Sequence, residues 1–245
     1  MTVLVVGASG VTGRLLVNQL LQKGNKVKII VRSKENLPQS FLETDNLVIH
    51  TASILELSDR ELMKYTAECD AIASCLGHNV SFKGIYGQPR KLVRDATKRL
   101  CKAIKKHQPK TPIKYVLMNT SGNSNRDLNE PISLAQKFVI GLLRLLLPPH
   151  IDNEQAADYL RTEIGQNDKY IQWVAVRPDG LINENEVTKY ETYPSPIRSA
   201  IFNAGKVSRI NVGHFMASLI CDSDLWDKWK GQMPVIYSSN YQKKD

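Results

Sequence analysis

Near its N-terminus the chain reads VLVVGASGVTGRLL over residues 3–16: an apolar run, a turn with glycine at every third position, and the start of an amphipathic helix. Gly7 allows a sharp turn, Gly10 lets a pyrophosphate approach the backbone, and Gly13 lets the helix pack close to the strand. A second apolar run at 27–31 follows at the spacing of a β-α-β unit. The stretch therefore predicts a dinucleotide-binding fold rather than merely a tight turn.

The same turn and the end of the second strand indicate which dinucleotide binds. Free N–H groups and the positive end of the helix hold phosphate charge. The residues predicted to bind the cofactor here are Gly7, Ser9, Gly10, Val11, Thr12 and Gly13. A site for NAD has a carboxylate on the ribose 2′-hydroxyl about 20 residues after the loop, but this chain has Arg32 and Ser33 there. An arginine fork suits a 2′-phosphate, so we expect NADP(H) in preference to NAD(H). The alternative is that Arg32 only solvates the strand end.

Apolar runs and helical patterns alternate along most of the chain. The runs are nearly continuous in apolar character, which is typical of strands covered on both faces. Strands are predicted at 2–6, 27–31, 47–50, 70–76, 113–119 and 171–177, and helices at about 12–23, 58–67, 88–107 and 152–166. Right-handed crossovers between such elements give a doubly wound parallel sheet, the α/β Rossmann fold. We expect a single domain over 1–245, with a core of about 1–177. A mixed substrate-side cap is expected over about 178–245, holding a helix at 211–222 and a last strand at 233–237.

Composition excludes several classes of protein. At 245 residues and 42% hydrophobic content, the chain can bury a core without disulfide bonds. Its four cysteines form no C-x-x-C pair, so we expect reduced thiols and no metal site. The net charge of +9 permits anionic partners without choosing one. No basic leader precedes the first strand, and the longest apolar stretch, Phe138–Leu147, is too short to span a bilayer. These features predict a cytoplasmic protein with no membrane partner.

Seven blocks in family order resemble the atypical short-chain dehydrogenase/reductases. The similar group is the NAD(P)H-binding one that includes flavin/biliverdin reductase and the nitrogen-metabolite-repression-regulator-like proteins. The blocks are 7–13, 31–33, 53–55, 74–77, 118–121, 174–178 and 207–216. The resemblance implies that Ser53 and Ile54 meet the adenine, although the family often has aspartate where Ser53 stands. It also implies that Cys75, Leu76 and Gly77 lie beside the ribose and phosphates, that Thr120 and Ser121 face the nicotinamide, and that Arg177 and Pro178 shape its far side.

One hallmark of that superfamily is absent. Typical members use Tyr-x-x-x-Lys, in which the lysine lowers the phenol pKa, but none of the nine tyrosines here has lysine four residues later. Tyr159 has Glu163 at that position. Candidate polar groups for catalysis are instead Ser121 as a hydrogen-bond donor, Asp179 as an acid if burial raises its pKa, and His78 at the cleft edge. The alternatives are a turn at Ser121, an Asp-Gly turn at Asp179 and a loop histidine.

Two functions follow from these observations. The first is an NADP(H)-dependent reductase that passes hydride to a planar or carbonyl-containing small molecule such as a flavin or quinone. The second is a non-catalytic NADP(H) sensor that acts through a protein partner. The basic series between Lys91 and Lys106 is expected to be a solvated helix face and not a nucleic-acid site. The run at 138–147 leaves three roles open: packing under a lid, a subunit contact in a homo-oligomer, or contact with an apolar substrate.

Overall fold

The β-α-β unit predicted at the N-terminus is present. A computed structural model describes residues 1–78, 81–130 and 133–239. The chain begins with β1 (Thr2–Val6), α1 (Val11–Gln22) and β2 (Lys26–Val31). β1 and β2 pair in parallel. A crossover helix between two neighbouring parallel strands confirms the unit that the glycine-rich turn predicts.

The rest of the chain continues the alternation. The further strands are β3 (Leu47–Thr51), β4 (Ala71–Ser74), β5 (Ile113–Met118), β6 (Ile171–Pro178), β7 (Gly180–Ile182), β8 (Tyr190–Tyr193), β9 (Lys206–Ser208) and β10 (Val235–Ser238). The further helices are α2 (Gln39–Leu42), α3 (Asp59–Thr66), α4 (Phe82–Tyr86), α5 (Leu92–His107), α6 (Leu134–Leu146), α7 (Pro148–Tyr159), α8 (Arg209–Cys221) and α9 (Ser223–Trp229). A π-helical turn at Leu160–Ile164 extends α7.

The main sheet has the strand order β3-β2-β1-β4-β5-β6-β10-β8. All neighbours in it are parallel except β8, which runs antiparallel to β10 at the edge. The first six strands follow the order 3-2-1-4-5-6 of the Rossmann fold, and the order reverses between β1 and β4. Ligands bind at such a switch point, outside the carboxyl ends of the strands. The doubly wound fold is therefore confirmed, and it places β1 and β4 at the centre of a binding cleft.

Both faces of the sheet are covered, as the continuous apolar runs predict. In β1, Val3 and Val5 pack into the cluster beneath α1 and α8, whereas Leu4 and Val6 pack into the cluster beneath α3, α5 and α7. All four side chains are fully buried. Alternate residues of one strand thus enter opposite layers, and both layers are apolar where they meet β1.

The C-terminal segment is divided between core and periphery, which differs from the expected cap. Helix α8 packs along α1, and a Cβ added at Gly213 would lie only 3.0 Å from the Leu16 backbone nitrogen. Strand β10 pairs with β6 and extends the main sheet. Only β7 and β9 form a separate small sheet. Residues beyond Pro178 therefore help to build the fold itself as well as the region around the site.

Two helices begin elsewhere than their patterns predict. The helix expected over 88–107 starts at Leu92, and the one expected over 152–166 starts at Pro148, where proline fits the first turn. The two starts are linked, because Asp152 of α7 accepts hydrogen bonds from the backbone N–H groups of Val93 (2.8 Å) and Arg94 (2.9 Å). A carboxylate from another helix thus caps α5. Sequence patterns report local caps and cannot show one supplied by a distant residue.

Among the described residues no single helix is long and apolar enough to cross a membrane. The helical segments Leu134–Leu146 and Pro148–Ile164 are long and apolar enough for a membrane span only when they are taken together. They are bent by 105° relative to each other.

Candidate functional site

The glycine-rich turn is packed so tightly that two of its glycines cannot carry a side chain. Gly7 has φ of +79°, and a Cβ there would lie 2.5 Å from the carbonyl carbon and oxygen of Cys75. A Cβ at Gly13 would lie 2.1 Å from the Gly7 carbonyl oxygen. A Cβ at Gly10 would meet nothing closer than 3.4 Å within the protein. Gly7 and Gly13 are thus needed for packing, whereas Gly10 leaves open space on the cleft side.

Helix α1 presents an open N-terminus at this turn. Its N-cap is Gly10, so no side chain caps the first backbone N–H groups, and the first turn carries no acidic residue. Such a terminus has free donors and a partial positive charge, both of which favour an anion. Among the predicted residues Val11 is exposed at this end, while Thr12 and Gly13 are buried. The geometry fits a phosphate group bound at the backbone.

The turn forms one wall of a cleft of about 740 Å³ at the carboxyl ends of β1, β2, β3 and β4. This volume is within the range of small-molecule and cofactor sites. Of the residues predicted to bind the cofactor, those that line the cleft are Gly7, Ser9, Gly10, Arg32, Ser53, Ile54, Cys75, Leu76 and Gly77. Thus residues from four separated segments of the sequence meet at one site, as the strand order requires.

Arg32 is available to an anion at the cleft edge. Its side chain is exposed and forms no hydrogen bond or ion pair with any other residue in the described part of the chain. Ser33 Oγ accepts a hydrogen bond of 3.1 Å from the Glu35 backbone N–H. Arg14, which the sequence analysis did not select, donates from Nη1 to the Asn36 carbonyl at 3.2 Å and so lies against the same loop. Two arginines therefore lie near the end of β2, Arg32 on the cleft and Arg14 against the loop that follows.

The wall of the cleft after β3 is held by an arginine from α5. Arg99 donates to the carbonyl of Ile54 at 3.1 Å and also to the carbonyls of Leu55 and Leu57. The loop after β3 is held by these bonds in the position where it lines the cleft. Arg99 belongs to the basic series that we expected to be a solvated face, so this member of the series has a structural role instead. Lys102 and Lys106 pair with Asp59.

Ser121 and Asp179, predicted as separate candidates, lie together. Ser121 Oγ donates to Asp179 Oδ1 at 3.0 Å, and the backbone N–H groups of Gly180 and Gly205 also donate to the carboxylate, at 3.0 and 2.8 Å. Burial raises the pKa of Asp179, although these hydrogen bonds favour its charged form. The Ser121 backbone N–H donates to the Pro178 carbonyl at 2.9 Å, which joins the loops after β5 and β6. A hydroxyl and a carboxyl group with a raised pKa thus form a pair that can hold or pass a proton.

The loop around Thr120 is ordered by asparagines. Asn119 Oδ1 accepts from the Thr120 backbone N–H at 2.9 Å and from Asn123 Nδ2 at 3.1 Å. Asn119 Nδ2 in turn donates to the Asn153 carbonyl of α7 at 2.9 Å. These bonds connect the end of β5 to α7 and fix the loop that carries Thr120 and Ser121.

His78 does not lie free at the cleft edge as expected. Its Nε2 is 2.8 Å from Asp152 Oδ2 and its Nδ1 is 3.2 Å from the Gly84 carbonyl oxygen. The histidine side chain is 6% exposed and the aspartate is fully buried. Because Nε2 contacts α7 and Nδ1 contacts α4, the ring connects the loop after β4 to both helices. A structural role replaces the expected catalytic one.

Arg177 likewise has a role other than the predicted contact beside the nicotinamide. The side chain is fully buried, and it pairs with Glu130 through Nη2 (2.7 Å) and Nη1 (3.2 Å). Its other bonds go to the carbonyls of Met233 (2.6 Å), Asn123 (2.9 Å) and Pro194 (3.1 Å). An arginine has five N–H donors, and all five are used here. Arg177 therefore fixes the loops around the site and has no donor left for a cofactor.

His150 is a second residue that the sequence analysis missed. A Cβ added at Gly122 would lie 3.6 Å from His150 Cε1, so the ring borders the loop of Ser121. Its Nε2 is buried, lies 3.4 Å from Glu154 Oε1 and makes no hydrogen bond to a described residue. Burial opposes ionisation of Glu154, but His150 and Arg144 outweigh it and lower the Glu154 pKa to about 2. The spacing of four residues between His150 and Glu154 was the available signal.

The cysteines and Tyr159 are poorly suited to acid–base or nucleophilic chemistry. All four cysteines are unpaired, and burial raises the pKa of Cys69 to about 11 and of Cys75 to about 12. Burial also raises the pKa of Tyr159 to about 12, so this phenol is a poor proton donor. Within the described ranges no group of three or more His, Cys, Asp or Glu side chains could hold a metal ion.

Comparison with known proteins agrees with this geometry. An uncharacterized chloroplastic protein of Arabidopsis thaliana is 29% identical over 182 residues, which cover 74% of this chain and 60% of that protein. The chain thus spans less than two thirds of that relative. A short-chain dehydrogenase/reductase of Veillonella parvula, solved in complex with NADP, superposes with a TM-score of 0.70 at 16% identity, over 99% of this chain and 96% of that one. The anaerobillin reductase ChuY of Escherichia coli superposes with a TM-score of 0.68 at 14% identity, over 99% and 100%.

These structural similarities show the fold, and a family match identifies the chain. The sequence model of the NAD(P)H-binding family matches residues 7–223, which include the glycine-rich turn, the cleft and helix α8. The match confirms the NAD(P)H-binding group to which the resemblance pointed, and the fold is like that of the short-chain dehydrogenase/reductase of Veillonella parvula. The chain belongs to the NAD(P)H-binding family.

Proposed function

We propose that this protein is an NADP(H)-dependent reductase that passes hydride to a planar or carbonyl-containing small molecule. The observation that carries the proposal is the cleft, in which an uncapped helix N-terminus and an exposed arginine without a partner among the described residues face the same space. The bound cofactor would supply the hydride. The neighbour in complex with NADP and the anaerobillin reductase support this class of chemistry by analogy of fold.

The preference for NADP(H) rests on charge at the end of β2. Arg32 is exposed, Arg14 borders the same loop, and neither pairs with a carboxylate in the described residues. A 2′-phosphate would accept charge-assisted hydrogen bonds from such arginines, whereas a ribose hydroxyl would gain much less. Arg32 therefore discriminates between NADPH and NADH, and Arg14 provides a second positive charge nearby.

The residues around Ser121 would manage the proton. When Asp179 is charged, the Ser121 hydroxyl donates to it and can only accept a hydrogen bond from the acceptor molecule. When Asp179 is protonated, its O–H can donate to Ser121 Oγ, and the serine proton is then free to move to the reduced acceptor. The acceptor gains a hydride and one proton, and Asp179 regains a proton from solvent. Because burial raises the Asp179 pKa, the protonated form persists to higher pH than in an exposed aspartate.

Calorimetric titration tests the cofactor assignment. Arg32→Ala should weaken NADPH binding by about tenfold to a hundredfold, because a charge-assisted hydrogen bond contributes about 1.5–3 kcal/mol. NADH binding should change by less than about twofold, since NADH has no 2′-phosphate. Lys34→Ala, an exposed charge two residues away, is the matched control and should leave both affinities unchanged. Equal losses for NADPH and NADH in Arg32→Ala would end the assignment.

Turnover separates the reductase from the sensor. The bond from Ser121 to Asp179 and the poor acidity of Tyr159 also suit a protein that binds the cofactor without reaction. Loss of reduced nicotinamide absorbance should be followed with flavins, quinones, tetrapyrroles and small carbonyls. Turnover that slows as the pH rises through the raised Asp179 pKa supports the reductase. Tight NADPH binding without turnover on any acceptor, together with a protein partner that responds to NADPH, would support the sensor instead.

A further inference from the structure

Helix α6 carries an apolar stripe that the protein does not cover. Leu134, Phe138, Leu142 and Leu145 are 84%, 75%, 45% and 80% exposed. At 3.6 residues per turn these positions fall within about 80° of one another around the helix. Ile140, on the other side, is buried. The helix thus uses one narrow side to contact the protein and presents a longer apolar side to the exterior.

A neighbouring helix extends the stripe. In α4, Phe82 is 81% exposed, and its ring lies 5.0 Å from that of Tyr86. The Tyr86 hydroxyl donates to the carbonyl of Leu146 at the end of α6, at 3.1 Å. One surface results, the α4–α6 face, which consists of Phe82, Tyr86, Leu134, Phe138, Leu142, Leu145 and Leu146. Exposed large side chains this dense on one surface mark an interaction site.

The charge around the α4–α6 face has one sign. Residues 71–94 and 131–151 contain no aspartate or glutamate. Three carboxylates near the face are buried and paired: Glu130 with Arg177, Asp152 with His78, and Glu154 with Arg144. Asp95, at the start of α5, is partly exposed and pairs with Arg94. The exposed charged side chains described within these two segments are the cations Arg90, Lys91 and Lys137, together with Arg144, which is 45% exposed although it pairs with Glu154. Arg90 also donates to the Tyr86 carbonyl at 3.2 Å, which places it at the edge of the face.

We propose that the α4–α6 face docks on an anionic lipid surface, with α6 lying in the plane of the interface. An apolar stripe with the cations Lys137 and Arg144 along one side is typical of a helix that rests at the boundary between headgroups and acyl chains. Negatively charged headgroups complement the basic rim. A second copy of the chain fits less well, because two identical faces would bring cations together with no carboxylate to meet them.

This docking mode differs from the expectation of no membrane partner. That expectation rested on the apolar run being too short to span a bilayer. At 13 residues α6 is about 20 Å long, against a hydrocarbon core of about 30 Å, so it is indeed too short to cross. A helix that lies on the surface needs only one apolar side, and the length limit does not apply to it.

Vesicle sedimentation with the full chain tests the proposal. The probes are vesicles of phosphatidylcholine alone and of phosphatidylcholine with phosphatidylglycerol. The bound fraction should be higher on the anionic vesicles and should fall with added salt. Phe138→Asp and Leu145→Asp should each weaken binding by about tenfold or more. Phe202→Asp, at a residue 60% exposed outside the face, is the matched control and should bind like the parent chain.

Three outcomes would overturn the proposal. One is absence of binding to either kind of vesicle. Another is binding that the face variants do not weaken relative to Phe202→Asp. The third is a dimer in analytical ultracentrifugation that Phe138→Asp dissociates while vesicles bind nothing, which would assign the face to contact between copies. NADPH titration of the same variants should be unchanged, so failure here leaves the cofactor proposal intact.

Discussion

Gly13→Ala should lower the stability of the protein, whereas Gly10→Ala should lower its affinity for NADPH, although the two glycines lie in one turn. At Gly13 the new Cβ would lie 2.1 Å from the Gly7 carbonyl oxygen, and the second contact would be backbone as well. Carbon and carbonyl oxygen approach no closer than about 3.3 Å, so helix α1 and the turn would have to separate by about 1.2 Å. Neither group is a flexible side chain that can move aside. Gly13→Ala therefore disturbs the packing of α1 against β1.

The cost of that separation can be estimated. Overpacking in a well-filled core costs about 1–3 kcal/mol, and a backbone clash belongs at the upper end. For a chain of this size about 3 kcal/mol lowers Tm by about 6–12 °C. Gly10→Ala meets nothing closer than 3.4 Å and changes only the N-cap residue, which costs less than about 1 kcal/mol. Its new methyl group would lie where the pyrophosphate approaches, so NADPH affinity should fall by about tenfold or more.

Differential scanning calorimetry and NADPH titration on the two variants distinguish these roles. Gly13→Ala should show the large loss of Tm, and Gly10→Ala should retain Tm within about 4 °C while losing affinity. A Gly13→Ala protein that melts with the parent chain would show that the turn is not packed as described. Parent-like NADPH affinity in Gly10→Ala would show that the phosphates bind elsewhere.

Two further changes test the buried charges that hold the site. Arg177→Met leaves Glu130 buried without its partner and should lower the free energy of unfolding by about 3–5 kcal/mol in urea titration, while NADPH affinity of the folded protein stays the same; a loss of affinity without a loss of stability would place Arg177 at the cofactor after all. Glu154 has its pKa lowered from 4.5 to about 2, so its contribution to stability is complete above pH 4.5 and disappears as the pH falls towards 2. Because the partner Arg144 is nearly half exposed, solvent screening reduces this contribution to about 1 kcal/mol, and Glu154→Gln should remove that part of the acid dependence. An acid dependence identical in Glu154→Gln and the parent chain would contradict the pairing.

The sheet was predictable because its signals are local. Each buried strand is a short continuous apolar run, and β1, α1 and β2 follow from residues 3–31 alone. The C-terminal elements were harder to place, since β10 joins β6 across more than 50 intervening residues and α8 packs on α1 from the far end of the chain. Nothing in the residues of β10 states which strand it will pair with. Sequence patterns predict that an element exists more reliably than where it packs.

Position at a strand end was predictable, but the direction of a side chain was not. Ser121, Asp179 and His78 follow strands of the parallel sheet, and Arg177 lies near the end of β6. The sequence therefore placed all four near the cleft. Ser121 and Asp179 do meet. His78 and Arg177 are taken up by Asp152 and Glu130, acids that lie 74 and 47 residues away in sequence. A polar residue's role thus depends on partners that local sequence does not reveal.

Burial and the number of unused hydrogen-bond donors distinguish the arginines that hold loops in place from the arginine that is available to a ligand. Arg177 and Arg99 are bonded to backbone carbonyls of the loops that they hold, and no donor of Arg177 remains for a ligand. Arg32 is exposed and has all its donors free among the described residues, although on composition it is one more cation in a chain of net charge +9. Fixing the loops with buried arginines removes the need for a ligand to order them, so more of the binding free energy from a 2′-phosphate contact can appear as affinity. The specificity proposed for Arg32 should accordingly depend on Arg99, which holds the neighbouring wall of the same cleft, after β3.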